Sequence, residues 1–130
     1  KICGDAMVYG HAEVYDKAIV SGDAMVYDYA EVYGSAEVFS KAKVFDNAKV
    51  FDNAEVYDEA KVFEDARIYG NAKICGVTWV FDKAEFSGNT IVHGNAEVYD
   101  NGAVYGDGLV YDNAEIYGDR EVHGNEKVGE

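Results

Sequence analysis

Histidine is the side chain whose ordinary pKa best suits proton transfer near neutral pH, and this chain has three: His11, His93 and His123. A general base needs a positioned partner and a pocket. The three histidines are widely separated in the sequence, and none of them belongs to a Cys/His cluster. The sequence also contains no glycine-rich phosphate loop and no serine nucleophile with a paired base. We therefore predict no catalytic residue, no metal ligand and no cofactor, and interpret these histidines as surface side chains.

The elements that carry these histidines are copies of one six-residue unit. Residues 42–65 read AKVFDN AKVFDN AEVYDE AKVFED, and the frame runs without insertion from Lys1 to Glu130. We number the positions of the unit from its Ala. The first position is then Ala in 15 of 21 cases, and the third position is Val in 17 of 22. The fifth and sixth positions hold nearly all the Gly and every Asn. So strict a repeat indicates that one small structural unit is copied along the chain.

Each unit predicts a short strand that ends in a corner. Residues two apart on an extended chain point the same way, so Ala and Val form one inward face, and Gly, Asn and Asp suit the bend. Stacked units would bury that face as an all-β solenoid. We expect one domain over residues 1–130, part of a longer chain because Lys1 stands in mid-unit. Arg120 and Glu126 replace inward Ala, so residues 120–130 are predicted to be an irregular or capping end.

The pattern resembles the hexapeptide-repeat superfamily, whose units follow aliphatic, x, x, x, small, x. Residues 44–49, from Val44 through Ala48 to Lys49, fit that frame, as do nearly all the other units. One departure is the residue after the aliphatic position, which is Tyr or Phe fifteen times here. The resemblance covers the whole chain and implies a single-stranded, left-handed parallel β-helix with three units per triangular coil, hence about seven coils.

With three six-residue units per coil, each residue would lie about 4.8 Å along the axis from the residue 18 positions later in the sequence. On one side of the helix the fourth positions then form an unbroken column of seven aromatic residues, which we call the ring ladder. We predict that its central residues bring copies of the chain together, because so long an apolar strip exceeds what monomers usually expose; internal stacking and a ligand platform are the alternatives. The ladder is Tyr9, Tyr27, Phe45, Phe63, Phe81, Tyr99 and Tyr117.

Beside the ring ladder, the fifth positions form a second column that we call the acidic corner. Carboxylates one strand apart repel, so we expect compensation by turn-backbone bonds, by Lys83, by lowered ionisation or by a bound cation. Asp is also simply a good corner residue, and we predict a structural role without metal. The acidic corner is Gly10, Asp28, Asp46, Glu64, Asp82, Asp100 and Gly118.

Composition narrows the range of partners. The formal charge of −14 repels phosphate backbones and anionic membrane surfaces, and no apolar run reaches the roughly 18 residues of a membrane span. We therefore expect neither nucleic acid nor membrane as a partner. Cys3 and Cys75 are separated by a whole number of units and would lie several strands from each other, so no disulfide is implied. Reduced thiols slightly favour the cytoplasm, and the localisation is otherwise unknown.

These observations favour a rigid, non-catalytic solenoid that serves as a structural spacer or interaction surface in a larger bacterial or phage protein. The alternative is a divergent acyltransferase, or the repeat domain of one. The resemblance implies that alternative because many hexapeptide-repeat proteins are trimeric acyltransferases that use a histidine base and coenzyme A. In those enzymes extended loops help to build the site, whereas the frame of this chain leaves room for turns only.

Overall fold

The computed structural model describes residues 1–129, in which every regular element is a two-residue strand. No helix long and apolar enough to cross a membrane occurs among them. In chain order the strands are Met7–Val8 (β1), Glu13–Val14 (β2), Ile19–Val20 (β3), Met25–Val26 (β4), Glu31–Val32 (β5), Glu37–Val38 (β6), Lys43–Val44 (β7), Lys49–Val50 (β8), Glu55–Val56 (β9), Lys61–Val62 (β10), Arg67–Ile68 (β11), Lys73–Ile74 (β12), Trp79–Val80 (β13), Glu85–Phe86 (β14), Ile91–Val92 (β15), Glu97–Val98 (β16), Ala103–Val104 (β17), Leu109–Val110 (β18), Glu115–Ile116 (β19), Glu121–Val122 (β20) and Lys127–Val128 (β21).

Every third strand belongs to the same sheet. The three seven-stranded sheets have the orders β1-β4-β7-β10-β13-β16-β19, β2-β5-β8-β11-β14-β17-β20 and β3-β6-β9-β12-β15-β18-β21. All pairs are parallel and in register at a spacing of three units, as in Lys43 opposite Lys61 and Val44 opposite Val62. The chain is therefore a parallel β-solenoid of about seven coils with three units in each, which confirms the predicted architecture.

The interior is the inward face that the period-two pattern predicts. Third-position residues such as Val50 and first-position residues such as Ala48 are completely buried through the middle of the chain. Phe86, which replaces Val at a third position, is also completely buried. β-Branched side chains pack well on a pleated surface, and stacking each coil on the next gives them the apolar cover that one short strand lacks. The predicted Ala and Val core is confirmed.

The corners explain the preference for Gly and Asp at the fifth position. All 21 fifth positions of the described residues have positive φ, between 54° and 80°. Eleven of them are Gly and eight are Asp, with Ser40 and Glu64 as the exceptions. Glycine enters this left-handed region without steric cost, and Asp tolerates it because its short side chain bonds nearby backbone. Each unit turns at this residue and the sixth-position residue that follows it, as in the bond from the Ala48 amide to the Phe45 carbonyl at 3.3 Å.

Strand pairing continues into the last units. Glu121–Val122 pairs with β17, Lys127–Val128 pairs with β18, and Val122 is completely buried. Arg120 and Glu126, at first positions, are both exposed, and their side chains meet in a salt bridge of 3.8 Å. Both charges are exposed to solvent, which avoids the desolvation that an interior position would impose. Residue 130, the last of the predicted capping segment, lies outside the described residues.

Candidate interaction surface

The ring ladder forms as a continuous stack along the first sheet. Centroid separations run from 4.9 to 5.1 Å between Tyr9 and Tyr99, and the last step, to Tyr117, is 5.7 Å. Neighbouring rings are within 7° of parallel except in that last step, at 15°. The structure therefore brings together the predicted interface residues as one strip: Tyr27, Phe45, Phe63, Phe81 and Tyr99.

Stacking covers the faces of the inner rings and leaves their edges open to solvent. Tyr9 and Tyr117, at the two ends, are 46% and 57% exposed, whereas the five rings between them are half-buried. The spacing between rings is the spacing between strands, so each ring lies over its neighbour without a change of register. The ladder thus stiffens its own sheet and still presents an apolar edge to the outside.

Ring stacking also occurs on the other two sides, in shorter runs. The second sheet carries a four-ring stack from Tyr15 to Tyr69 with separations of 4.9 Å, and the third carries Phe39 against Tyr57 at the same separation. Stacking is therefore a general result of placing aromatic residues at fourth positions. Continuity over all seven coils is what distinguishes the ring ladder.

The three histidines also stack on neighbouring rings, His93 and His123 at fourth positions and His11 at a sixth position, which the sequence pattern did not indicate. His11 lies 4.8 Å from Tyr29, His93 lies 6.1 Å from Tyr111 and His123 lies 5.3 Å from Tyr105, measured between ring centroids. In each case the tyrosine occupies the equivalent position of the neighbouring coil. Within residues 1–129, no three His, Cys, Asp or Glu side chains are arranged to hold a metal ion.

The second positions of the first sheet line the same side as the ring ladder. Trp79 is 40% exposed, and the Lys61 ammonium lies 5.1 Å from the centroid of its indole. The ring of Phe63 meets that indole edge-on at 6.3 Å. Near the end of the column, the Tyr99 hydroxyl donates to Glu115 Oε1 at 3.1 Å. The full column, which we call the charge column, is Met7, Met25, Lys43, Lys61, Trp79, Glu97 and Glu115.

At the acidic corner, each Asp carboxylate accepts a hydrogen bond from the backbone of the next coil. Asp82 Oδ2 accepts from the amide of Asp100 at 3.1 Å, and Asp100 Oδ2 accepts from the amide of Gly118 at 3.1 Å. Asp46 accepts from the amide of Glu64 at 3.2 Å. Backbone bonds are therefore a source of compensation for this column. Because the acceptor is charged, such bonds are stronger than neutral ones.

Glu64 interrupts this series. Its side chain is one methylene longer, and within residues 1–129 the amide of Asp82 makes no hydrogen bond to it, although the bonds on either side are present. Partial desolvation raises the pKa of the Glu64 carboxyl, although the side chain is exposed, and the neighbouring carboxylates of Asp82 and Asp46 raise it further. Glu64 therefore bears the repulsion of the column without the backbone bond that offsets it elsewhere.

The cysteines are unpaired, and Cys75 is buried. Its thiol donates a weak bond to the carbonyl of Val92 at 3.5 Å, and burial raises the thiol pKa. The adjoining Cys75 thiol, followed by burial, raises the pKa of Tyr57 to about 12. A buried thiol with a raised pKa is a poor nucleophile, so the arrangement is structural.

Fold and surface together define the class: a parallel β-solenoid with a stack of seven aromatic rings along one side. Comparison with family models, with curated proteins and with solved structures found no match for this chain.

Proposed function

We propose that this chain is a rigid, non-catalytic solenoid that acts as a structural spacer and presents the ring-ladder side as an interaction surface. The observation that carries the proposal is continuity. Rings stack from Tyr9 to Tyr117 in every coil, while the strands keep one register throughout each sheet. A surface that repeats so regularly along the chain suits a structural role better than a single local pocket would suit that role.

Rigidity follows from the way in which successive coils are joined. In one unit, Lys43, Phe45 and Asn47 each donate a backbone hydrogen bond to the coil that follows, at 2.9, 3.0 and 3.0 Å. The same three bonds recur in nearly every unit, and the connections between strands are short turns. Bending would break several such bonds together, so the chain has no natural hinge.

A non-catalytic role is supported by the surroundings of the three histidines. Each one stacks on a tyrosine at the surface, where a general base would lack the enclosed pocket that orients its substrate. We further propose kinship with the hexapeptide-repeat proteins, on the basis of the unit pattern and the three units per coil. The left hand of the helix rests on that likeness alone.

Rigidity can be tested by measuring distances between pairs of spin labels along one column. In a Cys75→Ser background, one label is placed on Cys3 and the second on Tyr111→Cys, six coils away, or on His93→Cys, five coils away. At strand pitch we expect mean separations of about 29 and about 24 Å, each as one narrow peak. Broad distributions, or equal separations for the two pairs, would overturn the proposal.

A further inference from the structure

The charges on the ring-ladder side are sorted along the solenoid axis. Lys43 lies in register beside Lys61, and Glu97 lies in register beside Glu115. Trp79 separates the two pairs, next to Lys61 on one side and to Glu97 on the other. Like charges on adjacent strands repel, so this arrangement costs stability within one chain.

The second sheet shows a mixed arrangement. Two of its neighbouring pairs have opposite charges, Glu31 beside Lys49 and Arg67 beside Glu85. Two others have like charges, Glu13 beside Glu31 and Lys49 beside Arg67.

On the ring-ladder side no neighbouring pair has opposite charges, and across residues 1–129 the single salt bridge is that of Arg120 with Glu126. Within the chain, Lys61 contacts the Trp79 ring and Glu115 accepts from the Tyr99 hydroxyl, but no opposite charge lies beside the sorted charges in their column. A surface with the reverse order of charges would supply one.

We propose that a second copy of this chain covers the ring-ladder side, as an antiparallel two-fold dimer centred on Trp79. The inference rests on the proposed function and names the partner of its interaction surface. With the axes antiparallel and the two-fold axis through Trp79, Lys61 faces Glu97 of the other copy and Lys43 faces its Glu115. Symmetry repeats both pairs, so the contact holds four oppositely charged pairs around two tryptophans.

The same register also aligns the rings. For sheets packed face to face with antiparallel axes, the two-fold axis runs along the strands, so each position of the unit meets the same position of the partner. Phe81 then meets Phe81 of the other copy, and Phe63 meets Tyr99. Five coils of each chain overlap, and the coils of Met7 and Met25 extend beyond the contact. Apolar edges supply the attraction, and the charges set the register.

Two other arrangements lack this complementarity. A two-fold axis along the solenoid axis reverses the strands, so it places the charge column of one copy against the ring ladder of the other. A trimer with parallel axes places Lys61 near the other copies of Lys61, and Glu97 near those of Glu97. With a net charge of −14 on each chain, association requires local complementarity, which the antiparallel register provides.

Charge reversal tests the register directly. Sedimentation equilibrium at low salt is run on the wild type, on Lys61→Glu, on Glu97→Lys and on an equimolar mixture of the two variants. Each single variant brings like charges together twice, so we expect its dimer dissociation constant to rise about tenfold or more. In the mixture, the Lys61→Glu chain is acidic at positions 61 and 97, and the Glu97→Lys chain is basic at both. Each facing pair formed by these two positions then has opposite charges, so association should return.

Two further measurements complete the test. Lys49→Glu makes the same charge change on the second sheet and should leave the dimer unaffected. Trp79 is the only tryptophan, so its fluorescence should shift to shorter wavelength as the wild type associates. A monomeric wild type, or single variants that associate as tightly as wild type, would overturn the dimer. Spin-label distances measured on labelled chains diluted in an excess of unlabelled protein report rigidity within one chain, so failure of the dimer and failure of the spacer function are distinguishable.

Discussion

Two corners of this solenoid make the same turn with different residues. The acidic corner uses Asp or Glu in five coils, whereas the corner of the second sheet, which we call the glycine corner, is mostly Gly. The φ angles are similar, near 57° at Asp82 and 70° at Gly88. The glycine corner consists of Asp16, Gly34, Asp52, Gly70, Gly88, Gly106 and Gly124.

The difference lies in how neighbouring coils meet. At Gly88 an added Cβ would lie 2.6 Å from the carbonyl oxygen of Gly106, too close for any side chain. At the acidic corner the coils accommodate side chains, and Asp82 bonds the amide of Asp100. Glycine therefore permits close approach, and aspartate provides a hydrogen bond between coils. The two residues solve one backbone problem in ways that are not interchangeable.

The largest expected effect comes from filling the glycine corner. Gly88→Ala should lower the free energy of unfolding by more than about 2 kcal/mol, because the backbone of two coils must separate and Ala must adopt positive φ. Urea denaturation followed by circular dichroism measures this loss. Gly118→Ala is the matched control, since a Cβ there has nothing within 4 Å, and it should cost only the backbone strain, about 1 kcal/mol. Equal losses would refute the close approach.

Removing a carboxylate from the acidic corner should have a smaller effect. Asp82→Ala deletes the acceptor for the Asp100 amide and leaves Ala at positive φ, so we expect a loss of about 1–2 kcal/mol in the same experiment. Asp82→Asn keeps an acceptor oxygen and a residue that tolerates this conformation, and it should lose less than half as much. If Asn and Ala are equally destabilising, the hydrogen bond contributes nothing.

Shortening the Glu64 side chain should restore the missing backbone hydrogen bond at the acidic corner. Glu64→Asp places a carboxylate at the distance that Asp46 and Asp82 use, so that the Asp82 amide gains an acceptor. We expect the free energy of unfolding to rise by at most about 1 kcal/mol, since the bond is exposed. An unchanged or lower stability would show that side-chain length is not what interrupts the series at Glu64.

The smallest effect is a change in pH dependence. Because the pKa of Glu64 is raised above its ordinary value of 4.5, the folded state holds this proton to higher pH than the unfolded state does. Stability is therefore lost as pH rises from the ordinary pKa through the folded pKa. Glu64→Gln should remove that loss, which thermal melts of both proteins across the weakly acidic range up to neutral pH would detect. Parallel curves would contradict the raised pKa.

Much of this structure could be predicted from the repeat. The Ala and Val pattern identified the core, and the resemblance to hexapeptide repeats supplied the three-unit register and hence the ring ladder. The bonds from Asp to the next coil could not be assigned, because they depend on where a left-handed corner places the carboxylate relative to the next amide. The stacking of His93 on Tyr111 was also missed, although both stand in the same column of fourth positions.

Amide hydrogen exchange at Gly70 and Gly88, which occupy the same corner in neighbouring coils, tests most directly whether corner carboxylates hold successive coils together. The Gly70 amide donates to Asp52 Oδ2 at 3.2 Å, whereas the Gly88 amide faces Gly70, which has no side chain. We predict that Gly70 exchanges about tenfold more slowly than Gly88 and loses this protection in Asp52→Gly. Equal exchange at Gly70 and Gly88 in the wild type would contradict the role of the carboxylates.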